Sequence, residues 1–201
     1  MKSNMIISKN GVKTPDLVID FNGQGSSTLV APGFDPTITT KPDWLIEFNY
    51  GMARDMDPNV SNNTTYGSGQ LMGDDASIII YPTPASVYAE TCLIAGTAIP
   101  SVTVYRVADL LGVLTGVENW AFTNVIVTGV RTTGVTNPDG TSLANLIEVT
   151  FQWQQLQHTL NSYNSTTLAA QGSVVSLVNF STGVLTPPAA GGGGAAPAAT
   201  A

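Results

Sequence analysis

Ile147-Glu-Val149-Thr-Phe151-Gln-Trp153 places apolar side chains at every odd position and polar ones at every even position. Successive side chains on an extended chain point to opposite faces, so this period of two specifies a strand with one face in a core and the other turned outward. After Gln154 the apolar phase passes to Leu156, His158 and Leu160. One extra residue in a strand shifts the phase in this way, which predicts a bulge and a strongly bent strand.

The same reading extends along the chain. Further strands are expected at Met5–Ser8, Asp16–Phe21, Trp44–Tyr50, Ser77–Tyr81, Ser101–Val107, Trp120–Val130 and Val174–Phe180, most of them separated by Gly, Pro or Asn. Thr83 is placed to cap a short helix that Pro84 opens, that runs through Ala85 to Ala95, and that Gly96 stops. A second short helix is expected over Val107–Val113. Many strands with one or two short helices predict a mainly β fold, a closed or nearly closed antiparallel barrel, because closure removes unpaired strand edges.

Two stretches read as long loops: Gly51–Gly69, and Arg131–Ser142 with the turn sequence Asn137-Pro-Asp-Gly140. The barrel domain is expected to span residues 1–186. From Pro187 the sequence becomes PPAAGGGGAAPAATA, too poor in large apolar groups to offset its ordering entropy, and residues 187–201 read as a flexible Ala/Gly/Pro-rich tail.

Composition restricts the function. Charged residues are 10% of the 201 positions, against about 25% in ordinary soluble domains. Thr, Ser, Asn, Gln and Gly stand where Lys and Glu are usual, which gives an exterior that is cheap to dehydrate against a protein partner. The 7 basic residues, Lys2, Lys9, Lys13, Lys41, Arg54, Arg106 and Arg131, are dispersed among 14 acids for a net charge of −7. A sequence-specific nucleic-acid binder needs clustered cations, so that class is excluded. Cys92 is the sole cysteine; it reads as a small core residue, with no disulfide framework or cysteine-rich zinc site. No apolar run approaches the roughly 20 residues of a membrane span, and the start MKSNMIISKNGVK lacks a secretory h-region, so neither membrane insertion nor signal-peptide export is expected. The sequons at Asn59, Asn62, Asn63, Asn164 and Asn179 follow from the Asn, Ser and Thr content.

Catalysis is not expected. His158, the only histidine, sits in a Gln-rich strand and reads as a surface or interface residue. The acids Glu47, Glu90, Glu118 and Glu148 fall on separate elements, and nothing pairs them as a glycosidase dyad. Asp55, Asp57 and Asn59, or Asp74 and Asp75, lack the regular ligand spacing of a calcium loop, and Gly67-Ser-Gly69 has no following helix or lysine to cradle phosphate. No metal or cofactor is expected. Trp44, Trp120 and Trp153 could form a sugar-binding platform, but each lies in an alternating strand where a core role is commoner.

The order of pieces from Trp44 onward resembles the haemolysin-coregulated protein, the inner-tube subunit of type VI secretion systems. The resemblance runs through Trp44-Leu-Ile-Glu-Phe-Asn-Tyr-Gly51, a Gly- and Asn-rich loop, Ala76-Ser-Ile-Ile-Ile-Tyr81, the helix near Ala85–Gly96, and Ile99-Pro-Ser-Val-Thr-Val-Tyr105. It continues through Trp120–Val130 as that family's central strand and Ile147–His158 as its penultimate one, covering roughly residues 44–183. Phage tail-tube proteins are similar in architecture. The stretch Asn22–Pro42, the low charge and the Ala-Gly-Pro tail depart from the family pattern. The resemblance implies a barrel whose copies close into hexameric rings that stack into a hollow tube, with sheath, baseplate or spike proteins as partners. The location it implies is a virion tail, or the bacterial cytoplasm with export through a contractile machine. Within that reading the Gly51–Gly69 loop projects to the next ring, with Met52, Met56 and Tyr66 filling gaps and Arg54 and Asp55 pairing across rings. An acidic lumen would let DNA or acidic cargo slide. A binding module of a virion or secreted assembly, for receptor or carbohydrate, is the alternative.

Overall fold

The computed structural model describes residues 1–2, 4–7, 13–25, 42–54, 71–110, 113–136, 142–164, 167, 169–180 and 184–186. In chain order the elements are β1 (Met5–Ile7), β2 (Lys13–Pro15), β3 (Leu17–Phe21), β4 (Asp43–Asn49), β5 (Met52–Arg54), β6 (Leu71–Gly73) and β7 (Ala76–Ile80). They continue with α1 (Pro84–Ala95), β8 (Ile99–Leu110), β9 (Val113–Thr136), β10 (Ser142–Gln152), β11 (Gln155–Tyr163), β12 (Ala170–Asn179) and β13 (Val184–Thr186).

Six strands close on themselves. β3 pairs β4 and β8, β8 pairs β9, β9 pairs β10, β10 pairs β7, and β7 returns to β4, every pairing antiparallel. The mainly β fold and the closed antiparallel barrel therefore stand as the alternating strands predict. Alternation fills the interior: in β7, Ala76, Ile78 and Ile80 are fully buried while Ser77 and Ile79 are half-buried. Phe21, Phe48, Trp120, Phe122 and Phe151 are the largest fully buried side chains of the core. A buried aromatic removes some 150–250 Å² from water, so each of these rings contributes more burial than any aliphatic neighbour.

β9 is 24 residues long and serves two sheets. Its second half, Ile126–Thr136, pairs β10, and Glu118–Thr123 pairs β11, which carries β12 and β13 as an extension beyond the barrel. The phase shift expected as a bulge after Gln154 has a different cause. Gln152 pairs Ile126 and Gln155 pairs Thr123, so neither strand gains a residue across the interruption at Trp153–Gln154. Both strands change phase together, with burial passing from Phe122 to Val125 on β9 and from Trp153 to Leu156 on the partner. The pair turns a corner, and Asn124, at φ 51°, takes the left-handed conformation that Asn tolerates, its side-chain amide donating to Gln154 Oε1. The bulge itself lies further along, where Thr150 and Phe151 oppose Gly129 and Val127 and leave Thr128 as the extra residue.

Two expectations are corrected. Val107–Val113 is not a helix: Val107–Leu110 closes β8 and pairs Gly116–Val113 of β9, cross-strand pairing overriding local propensity. Arg131–Ser142 is not a long loop, since β9 runs to Thr136 and β10 begins at Ser142; the turn Asn137–Gly140 lies outside the described residues. The helix forms where predicted. The Ser86 hydroxyl accepts from the Thr83 N–H at 3.2 Å, and Gly96, at φ 62°, ends α1 with its N–H on Leu93 O and the Thr97 N–H on Cys92 O. Ala85, Ala89 and Cys92 face the barrel, small side chains that let the helix lie close to β9.

Candidate assembly surface

The loop predicted to project stands on a hairpin base, β5 against β6, with Met52 opposite Gly73, Ala53 opposite Met72 and Arg54 opposite Leu71. Met52 is 43% exposed, and Arg54 is the last residue of β5. Asp55, Met56 and Tyr66, with Asp57, Asn59 and Gly67–Gly69, lie outside the described residues, as does the 187–201 tail. The base is rooted on both sides. The Asp74 N–H donates to Gly51 O at 3.0 Å. On the other side Gly73 lies against the rings of Phe180 and Trp153, which themselves pack 4.9 Å apart. A Cβ at Gly73 would sit 2.8 Å from Phe180 Cε2, so a larger residue here would have to displace the Phe180 ring.

The root continues into the core. Tyr50, at the end of β4, stacks on Phe48 at 5.3 Å and accepts a hydrogen bond from Trp120 Nε1 at 3.1 Å. Trp153 lies edge-on to Phe122 at 5.5 Å, and its buried Nε1 has no partner among the described residues. Trp120 and Trp153 are thus core residues, as alternation predicts, and Trp44 packs with Val18, Val107 and Leu114 in a second small cluster.

Where the extension leaves the barrel, a polar unit spans β8, β9 and β11. Glu118 accepts from Arg106 Nη1 at 2.9 Å through Oε2 and meets His158 Nε2 at 2.8 Å through Oε1. Sequence reading gives His158 as a surface or interface residue and misses this unit; Glu118 and Trp120, two apart on one face of β9, are the available signal. The arrangement ties three strands together. The histidine ring is stacked on Trp120, and among the described residues no Ser or Thr hydroxyl bonds to it. The other acids are apart: Glu148 pairs with Arg131 at 2.6 Å, Glu47 accepts from Asn49 at 3.0 Å, and Glu90 lines a shallow groove beside α1. No group of three or more His, Cys, Asp or Glu among the described residues could hold a metal ion. No described helix is long and apolar enough to cross a membrane.

No protein-family model matches the sequence, and no curated protein sequence matches it. Solved structures do. A type six secretion system protein superposes with a TM-score of 0.68 at 14% identity, covering 85% of this chain and 99% of its own. Hcp1 from Salmonella typhimurium gives 0.59 at 10% identity over 85% of this chain and 98% of its own. A type VI secretion system effector from Yersinia pestis gives 0.53 at 14% identity over 82% and 99%. At such identities the likeness is one of fold, and it agrees with the resemblance carried by the order of strands. The barrel, its helix and its extension sheet together have the fold of the Hcp proteins of type VI secretion.

Proposed function

We propose that this chain is the ring-forming subunit of a hollow tube in a contractile injection machine, of secretion or phage-tail type, with no chemistry of its own. The observation that carries the reading is the Hcp fold, shared over 85% of the chain with almost the whole of Hcp1. Two features of the chain support it. An exterior with 10% charged residues dehydrates cheaply on contact with further copies. The β5–β6 base, rooted through Gly51 and Gly73, gives the intervening segment a rigid seat from which to reach a stacked ring. In this reading Met52, Met56 and Tyr66 pack into the adjacent ring, while Arg54 and Asp55 form charge pairs across it. Sheath, baseplate or spike proteins cover the ends and outer wall, and the acid excess leaves the lumen without grip on DNA or acidic cargo.

Electron microscopy of the purified full chain tests this. Hollow rings or filaments are expected; a protein that remains monomeric at high concentration overturns the reading. Replacing residues 55–70 by a two-residue Asn-Gly turn preserves β5 and β6 and is expected to leave rings that no longer stack. Filaments of unchanged length would remove the stacking role from this segment.

A further inference from the structure

α1 carries a single charged residue, Glu90, with no acid in its first turn and no base in its last. Ala85, Ala89 and Cys92 face the barrel, yet the opposite stripe is not the polar surface that a solvent-facing helix presents. Val87 is 62% and Ile94 80% exposed, and Thr91 between them donates its hydroxyl to Val87 O at 2.9 Å. Beside Ile94 a shallow groove runs between the helix and the barrel wall, with Leu93 on one side and Val130, Thr132 and Ile147 on the other. Glu90 stands in it without a partner among the described residues. An exposed apolar patch with a polar rim of this kind marks a contact.

Charge restricts what can sit there. A second α1 laid across the groove would bring two Glu90 carboxylates together, and whole copies at net charge −7 repel one another. A neutral segment suits it: small apolar side chains enter a shallow groove, and a backbone N–H donates to the Glu90 carboxylate. Residues 195–201, Ala-Ala-Pro-Ala-Ala-Thr-Ala, are such a segment, with no charge and no side chain larger than Thr or Pro. In the polyproline conformation such a sequence leaves its N–H groups unpaired and available. Gly191–Gly194 precede it with the composition of a linker. The distance permits the contact. Thr186 lies opposite Leu177, which faces Gln157 and through it Ala121 on β9, nine residues before Val130. The groove is therefore roughly 30 Å along β9 and roughly 15 Å across three strands from Thr186, a line of at most about 35 Å that the curl of the sheet only shortens. Ala198, twelve residues beyond Thr186, reaches about 40 Å.

We infer that Ala195–Ala201 occupies the α1 groove of its own chain, covering Ile94 and donating a backbone N–H to Glu90. Tethering holds such a segment at an effective concentration of about a millimolar, so a contact too weak to hold a free peptide is occupied within the chain. The segment is thereby a cover for the apolar face of α1, displaced by any partner that binds there more tightly. The contact lies within one chain and does not depend on ring formation.

Photocrosslinking of the full chain tests it, with photoleucine in place of Ala198 and isotopically light and heavy chains mixed in equal amounts. Cross-links from that position to Leu93, Ile94, Val130 or Ile147 are expected, each within a single chain and at a yield that dilution does not change. Cross-links that join light chains to heavy ones, that fall elsewhere or that do not form overturn the inference. Ile94→Lys alters an exposed side chain and is expected to keep the fold by circular dichroism while cutting the groove cross-links roughly tenfold, since it removes the apolar surface being covered. An undiminished yield in that variant overturns the inference as well.

Discussion

The His158 imidazole lies flat on the Trp120 indole, with ring centroids 5.2 Å apart and planes 11° from parallel. The two residues are direct partners across β11 and β9, so the stack joins the extension sheet to a barrel strand. Trp120 is 2% exposed, and the half-exposed histidine is part of what covers it. From the neighbouring strand Arg106 approaches the same indole at 5.9 Å while binding Glu118. Four side chains on three strands thus form one unit at the junction between barrel and extension.

Removing the histidine should loosen that junction. His158→Ala loses the ring contact and leaves Glu118 Oε1 without its partner, at an expected cost of about 1–2 kcal/mol. His158→Phe retains the stack and should recover part of the loss. Urea denaturation of the two variants measures the difference, and equal destabilisation would show that the stack contributes nothing beyond the hydrogen bond.

Legibility of the fold tracked how local its causes are. Alternation at Ile147–Trp153 and the Thr83, Pro84 and Gly96 signals act within a few residues, and they located the second half of β10 and the whole of α1. The helix reading at Val107 misled because the strand state of Val107–Leu110 comes from pairing with Gly116–Val113 of β9, not from its own residues. Arg131–Thr136 shows little apolar alternation and is held by register with β10, its residues Arg131–Gly134 being exposed. The paired corner at Asn124 and Trp153–Gln154 looked like a bulge since one strand alone cannot reveal that its partner shifts phase too. In the candidate surface, Gly51 was legible as a loop end, but the close contact at Gly73 was not, because Phe180 lies more than a hundred residues away in the chain.

Gly73 gives the hairpin base its closeness to the core. Gly73→Ala would set a methyl group 2.8 and 2.9 Å from two Phe180 ring carbons and 3.1 Å from Trp153 Cζ2. The expected result is a loss of about 1–3 kcal/mol from overpacking, partly relieved by Phe180→Leu in the same chain. Thermal denaturation of the single and double variants reads this directly; a single variant as stable as the parent would mean that the hairpin lifts freely from its seat.

Asp43 is 1% exposed and accepts from the Thr83 hydroxyl at 2.8 Å, so a buried carboxylate on β4 ties down the residue that precedes α1. Asp43→Ala should cost about 2 kcal/mol, since it leaves a polar partner unsatisfied next to the core. Thr83→Val, which removes the donor instead, should cost about as much, and the double variant less than the two together. Denaturation of the full cycle tests the coupling, and strict additivity would show that the two groups do not depend on each other.

Tyr105 makes stability depend on alkaline pH. Burial raises its phenol above the ordinary 10.0, nearby Asp20 raises it further, and a hydrogen bond with Thr103 opposes them in part. In the unfolded chain the phenol ionises around 10.0, whereas the folded protein still holds the proton there. The unfolded state then binds fewer protons, so stability is intact below that pH and falls as pH rises from the unfolded value through the folded one. Tyr88 is raised as well, first by burial, and contributes in the same direction. Tyr105→Phe has no proton to lose, so its stability should fall less steeply than the parent's above pH 10.0, and the Tyr88→Phe, Tyr105→Phe double variant's less steeply still. Urea midpoints on either side of that pH decide the matter: parallel declines in parent and variants would place the alkaline loss elsewhere in the protein.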